Sequence, residues 1–98
     1  MQVNHDNDDL RRLEGDIQFD GGYERGVVKA YRMRMQLIRS ALDERAFYAM
    51  KSLHFEKLRG DREDQYSMRL NSQWRLILRF DKEPSGKVVV VISITDYH

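Results

Sequence analysis

The hydrophobic period changes along this chain, and that change does most to limit its fold. Val27, Tyr31, Arg34/Met35, Ile38 and Leu42 recur at the spacing of one helix face, so a long helix is expected from about Glu24 to Leu42. Further on the period drops to two. Tyr66, Met68 and Leu70 alternate with Gln65, Ser67 and Arg69, and Trp74, Leu76, Leu78 and Phe80 alternate with Gln73, Arg75, Ile77 and Arg79. Val88 to Ile92 is an unbroken β-branched run, which reads as a buried strand. Helices come first and strands follow, a pattern that folds as an α+β pair of layers with the helices on one sheet face.

The joints between these segments refine the expectation. Met1 to His5 reads as a short edge strand with Val3 as its only good apolar residue. Asp8 or Asp9 is suited to cap a short helix that carries Leu10, Leu13 and Ile17 on one side. Gly21-Gly22 breaks the chain, Asp43 to Ser52 reads as a short helical turn, and Leu53 to Leu58 reads as a strand ending at Arg59-Gly60-Asp61. A two-residue turn at Asn71-Ser72 would set Arg69 opposite Trp74, which alternation puts on the other face. An odd-numbered loop, Asn71-Ser72-Gln73, or a bulge is therefore expected. Pro84 lies in the last turn, Lys82 to Gly86. The expected fold is one domain over 1–98, in which 1–22 is an acidic strand and short helix, 24–52 is helical and 53–98 is sheet. Two N-terminal helices would pack on a three- to four-stranded antiparallel sheet.

Composition bears on the partner. The first 20 residues carry six acidic and two basic side chains, which leaves 15 basic and 10 acidic residues beyond them, or a charge of about +5 on the main body. That balance suits a polyanion or an acidic protein. Arg25, Lys29, Arg32 and Arg39 fall opposite the apolar face of the long helix, as either a solvated stripe or a partner-binding one. The sequence contains no cysteine and its three histidines are widely spaced, so no metal site and no cofactor are expected and a reducing cytoplasm is. No run of about 18 apolar residues suggests a membrane span.

The end of the chain places an acid, a phenol and an imidazole, Asp96-Tyr97-His98, directly after a core strand. They form either a solubilising tail or a working site. Arg69 and Arg75 stand on the outward parity of two neighbouring strands, and either coat that surface or bind phosphate. Cutting RNA without a metal needs a base for the 2′-hydroxyl, an acid for the leaving 5′-oxygen and cations for the phosphorane. Arg69 and Arg75 answer the last need, with Lys57 and Arg59 as further charge. His98, Asp96, Tyr97, Glu56 and His54 are the proton-handling groups, and Tyr97 is also able to stack on an unpaired base. A structural role is expected for His54, between Leu53 and Phe55. Trp74, Met33, Met35 and Met50 are expected in the core.

Leu53-His-Phe-Glu-Lys-Leu-Arg-Gly-Asp-Arg62, Gln65-Tyr-Ser-Met-Arg-Leu-Asn-Ser-Gln-Trp-Arg-Leu-Ile77 and the terminal Asp96-Tyr97-His98 together resemble the HigB branch of the RelE/ParE toxin superfamily. The resemblance runs from about Lys29 onward. It implies a toxin of a type II toxin–antitoxin pair acting as an mRNA interferase, an endoribonuclease that cuts messages in the ribosomal A site by 2′-hydroxyl attack. It also implies a HigA-like helix-turn-helix antitoxin, contact with the 70S ribosome and mRNA, and contact with operon DNA only through the antitoxin complex. By the same resemblance Arg75, His98, Asp96, Tyr97 and Lys57 take catalytic roles and Arg59 lines the active surface, with Arg69 beside it and Glu56 a proton-transfer candidate. The chain departs from its relatives at Arg59, where many have lysine, at Glu56, where some have histidine, and at Asp64, where a loop glycine is usual. The superfamily's ParE branch inhibits gyrase without catalysis, and a degenerate toxin would act only with its antitoxin as co-repressor. Proton-transfer groups at the terminus favour the nuclease.

Overall fold

In the computed structural model, which describes residues 1–62 and 64–96, the chain forms five strands and three α-helices. In order these are β1 (Gln2–His5), α1 (Asp8–Gly15), α2 (Arg25–Ser40), α3 (Arg45–Ala49), β2 (Glu56–Lys57), β3 (Gln65–Arg69), β4 (Trp74–Glu83) and β5 (Gly86–Asp96). One 3-10 turn, Lys51–Leu53, precedes β2 and another, Gly60–Arg62, follows it. The strands make one sheet in the order β1-β5-β4-β3-β2.

The fold is α+β as expected, but the sheet has five strands and is mixed, which corrects the antiparallel reading of three or four strands. β1 runs parallel to β5, with Gln2 opposite Val88 and His5 opposite Val91. A strand with one good apolar residue gains its place from its partner: it closes the otherwise open backbone edge of the valine run. The helical layer also holds α3, which lies within the short helical turn expected over Asp43 to Ser52 and whose Phe47 is fully buried. The strand expected over Leu53 to Leu58 shrinks to Glu56–Lys57, because the 3-10 turn and a left-handed residue at His54 (φ 46°) take up its first half.

The core lies between helices and sheet. Leu10 and Leu13 of α1, Val27, Tyr31, Met35 and Ile38 of α2, and Phe47 of α3 meet Met68, Leu76, Leu78, Val89, Val91 and Ile94. Val89, Val91 and Ile94 share a face although two and then three residues separate them, because a bulge after Val91 inserts Ile92 and resets the alternation. Ile77, Val88 and Val90 are buried on the other side of the sheet, outside this cluster. Leu70 N–H bonds to the Trp74 carbonyl (2.9 Å) across a three-residue Asn71-Ser72-Gln73 loop, in keeping with the odd-numbered loop. Asn71 Oδ1 accepts from the Gln73 and Trp74 amides (2.9 and 2.8 Å).

Other local expectations shift. Asn7, not Asp8 or Asp9, caps α1 by accepting from the Leu10 amide (2.9 Å). α1 stops at Gly15 and α2 at Ser40, so Ile17 and Leu42 stand 81% and 96% exposed rather than on apolar faces. Met35 is buried as expected, whereas Met33 and Met50 are exposed. Trp74 packs against the core and meets Tyr23 edge-on at 5.8 Å.

Two members of the basic stripe on α2 are structural. Arg32 donates to the carbonyls of Leu13, Asp16 and Phe19 (2.9–3.0 Å), tying the end of α1 and its loop to α2. Arg39 grips Glu14 through Nε (2.5 Å) and Nη2 (3.0 Å), and Glu14 also meets His5 Nε2 at 2.8 Å. The Arg39 hydrogen bond holds the Glu14 carboxyl below its ordinary value of 4.5, against the opposing effect of burial. With the folded pKa below the unfolded one, the unfolded chain binds the proton first as pH falls. This contribution to stability is therefore full above the unfolded pKa and is lost as pH falls through the folded one. Urea midpoints measured between about pH 3 and pH 6 should show a shallower acid loss in Glu14→Gln than in the wild type. Parallel curves would remove Glu14 from the acid response.

Candidate active site

The odd-numbered loop sets Arg69 directly opposite Arg75 across β3 and β4. Two like charges at one cross-strand position are unfavourable unless other groups take up their donors, and here both guanidiniums have such partners. Arg75, only 9% exposed, donates Nε to Ser67 Oγ, and Nη2 to the His54 carbonyl (2.6 Å) and the Ser67 carbonyl (3.4 Å). Arg69 donates Nε to the Asn71 carbonyl (3.2 Å), and its Nη1 lies 3.3 Å from His54 Nε2. From α2, Arg34 donates Nε to the Arg69 carbonyl (3.0 Å), and burial pushes the Arg34 pKa down.

His54 is held in the left-handed region, which non-glycine residues rarely occupy, and Arg75 pins its carbonyl. A guanidinium only donates, so Nε2 of His54 accepts from Arg69 and its ring proton belongs on Nδ1. The lone pair that receives this contact is the one a proton acceptor would use. His54, Arg69, Asn71, Ser72 and Arg75 line a cavity of about 230 Å³. Among the described residues its lining holds two cations, one imidazole and no carboxylate. Such a set suits an oxyanion beside a hydroxyl that must lose a proton.

The remaining sequence-derived residues are dispersed. Glu56 pairs with Ser67 and so shares the Arg75 face, but Lys57 pairs with Tyr66 and points to the helical side. Arg59 lies past the end of β2 and is exposed. Asp96 pairs with Trp74, while Thr95 is the residue opposite Arg75. The Asp96 carboxylate accepts from Gln73 Nε2 at 3.0 Å. Tyr97 and His98 lie outside the described residues. Among the described residues no group of three His, Asp or Glu side chains is placed to hold a metal ion, and no helix is long and apolar enough to cross a membrane.

Two contributors escaped the sequence reading, and a third was only partly read. Ser67 and Arg34 supply hydrogen bonds whose partners are distant in the chain. In the sequence His54 stands among the proton-handling groups, but its facing between Leu53 and Phe55 is ambiguous and a structural role is favoured. Its left-handed turn has no local sequence signal, since glycine, the usual marker, is absent there.

The sheet and its helical cover are those of the RelE/ParE toxins. The fold is similar over all of both chains to the YoeB/ParE toxin from Agrobacterium tumefaciens, at a TM-score of 0.63 and 18% identity. It is also similar to the conserved hypothetical protein HP0894 from Helicobacter pylori, at 0.53 and 11%, over 99% of this chain and 94% of that one. No curated protein matches the chain in sequence. Residues 4–98 match the family of HigB-like toxins, the RelE-like toxins of type II toxin–antitoxin systems, and the chain belongs to that family. A toxin of this type has an antitoxin as its partner.

Proposed function

We propose that this toxin is a ribosome-dependent mRNA interferase that cuts messages in the A site by attack of the 2′-hydroxyl on the adjacent phosphate. The observation that carries this reading is the convergence of Arg69, Arg75 and His54 on one cavity. In the proposed reaction the Arg69 guanidinium leaves His54 Nε2 for the phosphate, and the freed lone pair of the imidazole takes the 2′-hydroxyl proton as the oxygen bonds to phosphorus. The Arg69 guanidinium binds a non-bridging oxygen, and the buried charge of Arg75 stabilises the phosphorane behind it. The bond to the 5′-oxygen then breaks, leaving a 2′,3′-cyclic phosphate and a 5′-hydroxyl once an acid supplies a proton. Asp96, Tyr97 and His98 remain the candidate acids, with Glu56 on the same face as Arg75. Lys57 and Arg59 are assigned to binding RNA outside the cavity.

A HigA-like antitoxin, the 70S ribosome and mRNA are the proposed partners, and the cytoplasm is the proposed location. The test is to map 5′ ends on a defined message in a translating extract, with the wild type and with a chain lacking His98. Cuts inside translated codons that vanish without ribosomes are expected, with weaker cutting when His98 is removed. An intact message beside arrested growth would replace this reading with inhibition of gyrase.

A further inference from the structure

The placement of Lys57 on the opposite side of β2 from Arg75 leaves two cations without a place in the cavity, and their surroundings are distinctive. Lys57 and Arg59 share a cleft of about 580 Å³ with Tyr48, Phe55 and Gly60. Neither cation makes an ion pair among the described residues. The cleft touches both Glu56 and Lys57, which point to opposite faces of the strand, so it runs along the outer edge of β2, the last strand of the sheet.

Its floor is aromatic. Phe55 lies flat on Tyr66 with ring centres 5.3 Å apart and planes at 3°, and Tyr66 meets Phe80 edge-on at 5.1 Å. Tyr48 closes the series, edge-on to Phe55 at 4.8 Å and 81°. Its neighbours Phe47 and Phe55 are 0% and 8% exposed, but Tyr48 is 54% exposed and is the one aromatic among the large exposed apolar side chains of the described residues. A braced ring half open to solvent, rimmed by two cations, meets the two requirements for holding a single-stranded nucleotide: a π-face for the base and positive charge for its phosphate.

We propose that this cleft is a second RNA subsite, in which Tyr48 stacks on an unpaired base and Lys57 and Arg59 hold the flanking phosphate. It rests on the nuclease reading and deepens it. His54 and Phe55 are consecutive, the first lining the catalytic cavity and the second this cleft. An RNA strand held at Arg69 therefore reaches Tyr48 by passing round the β2 edge. Tyr48 fixes the position of a neighbouring nucleotide and takes no part in proton transfer.

The experiment is an NMR titration of the full chain with a short 2′-O-methylated oligoadenylate, which binds as RNA does but lacks the attacking hydroxyl. The variants are Tyr48→Leu, Tyr48→Trp and the double change Lys57→Gln/Arg59→Gln. The expected result is movement of the Tyr48 and Phe55 ring signals and a Kd raised about tenfold in Tyr48→Leu, as base stacking of about 1–3 kcal/mol implies. Tyr48→Trp should restore binding, and the double variant should flatten the salt dependence of Kd. Equal affinity in Tyr48→Leu and the wild type, or no binding of the oligonucleotide by the wild type, would overturn the subsite. So would shifts at Tyr48 caused by the antitoxin and not by the oligonucleotide, which would make the cleft a protein interface. Tyr48-dependent binding by a wild type that cuts no message would keep the subsite and remove the nuclease. Message cutting with a KM indifferent to Tyr48→Leu would do the reverse.

Discussion

Arg75→Ala is expected both to abolish toxicity and to destabilise the fold by about 2–4 kcal/mol, measured as a fall in the urea midpoint. Alternation along β4 predicts an outward arginine whose loss the fold would barely notice. The structure places that arginine at 9% exposure, with Ser67 Oγ and the carbonyls of His54 and Ser67 as its acceptors. Ser67 is 1% exposed, so water cannot easily replace the lost donor. Hydrogen bonds to a charged group contribute about 1.5–3 kcal/mol, and a buried acceptor left without a donor costs about as much. The bond to His54 also holds a left-handed turn that has a cost of its own. Arg75→Lys keeps the charge but lacks the planar fork that reaches Ser67 and His54 together, and should recover only part of the stability. A variant as stable as the wild type would show that the arginine only lies over the sheet.

His54→Asn is expected to have the opposite profile: cutting falls by about 10²–10⁴-fold and stability changes little. Asparagine tolerates the left-handed region, so the turn should survive, and the carbonyl that Arg75 holds is backbone and stays in place. What disappears is the ring nitrogen 3.3 Å from Arg69. The measurement is single-turnover cleavage on programmed ribosomes beside a denaturation curve. Cutting at the wild-type rate would move the base to Glu56 or to the terminal residues and leave His54 as a structural turn. Comparing the two variants separates a group that acts in the reaction from one that also builds the site.

Much of this site was legible in outline. The parities of β3 and β4 put Arg69 and Arg75 on the face away from the helices, and the arithmetic of the Asn71-Ser72-Gln73 loop set them opposite each other. The partners that convert them into a site were not legible. Arg34, Ser67 and His54 lie 35, 8 and 21 residues from the groups they bind, and no local period encodes such contacts. Lys57 and Asp96 show the limit of neighbourhood in the chain. Lys57 is one residue from Glu56 yet faces the other way, and Asp96 is one residue past Thr95, which is the residue that pairs with Arg75.

By itself, the sequence determined the local periods: the buried face of α2 at Val27, Tyr31, Met35 and Ile38, the alternation of β3 and β4, and the motifs that mark the toxin family. Those features are set by side chains a few residues apart, within the reach of one helical turn or one pleat. Only the tertiary structure decided that β1 joins the sheet parallel to β5, that Ile92 is an extra residue in a bulge, that Arg75 is buried and that His54 turns toward Arg69. Each depends on a backbone edge or a hydrogen-bond partner that comes near only when distant segments pack. Burial and pairing at that range are properties of the assembled layers, not of any window of the chain.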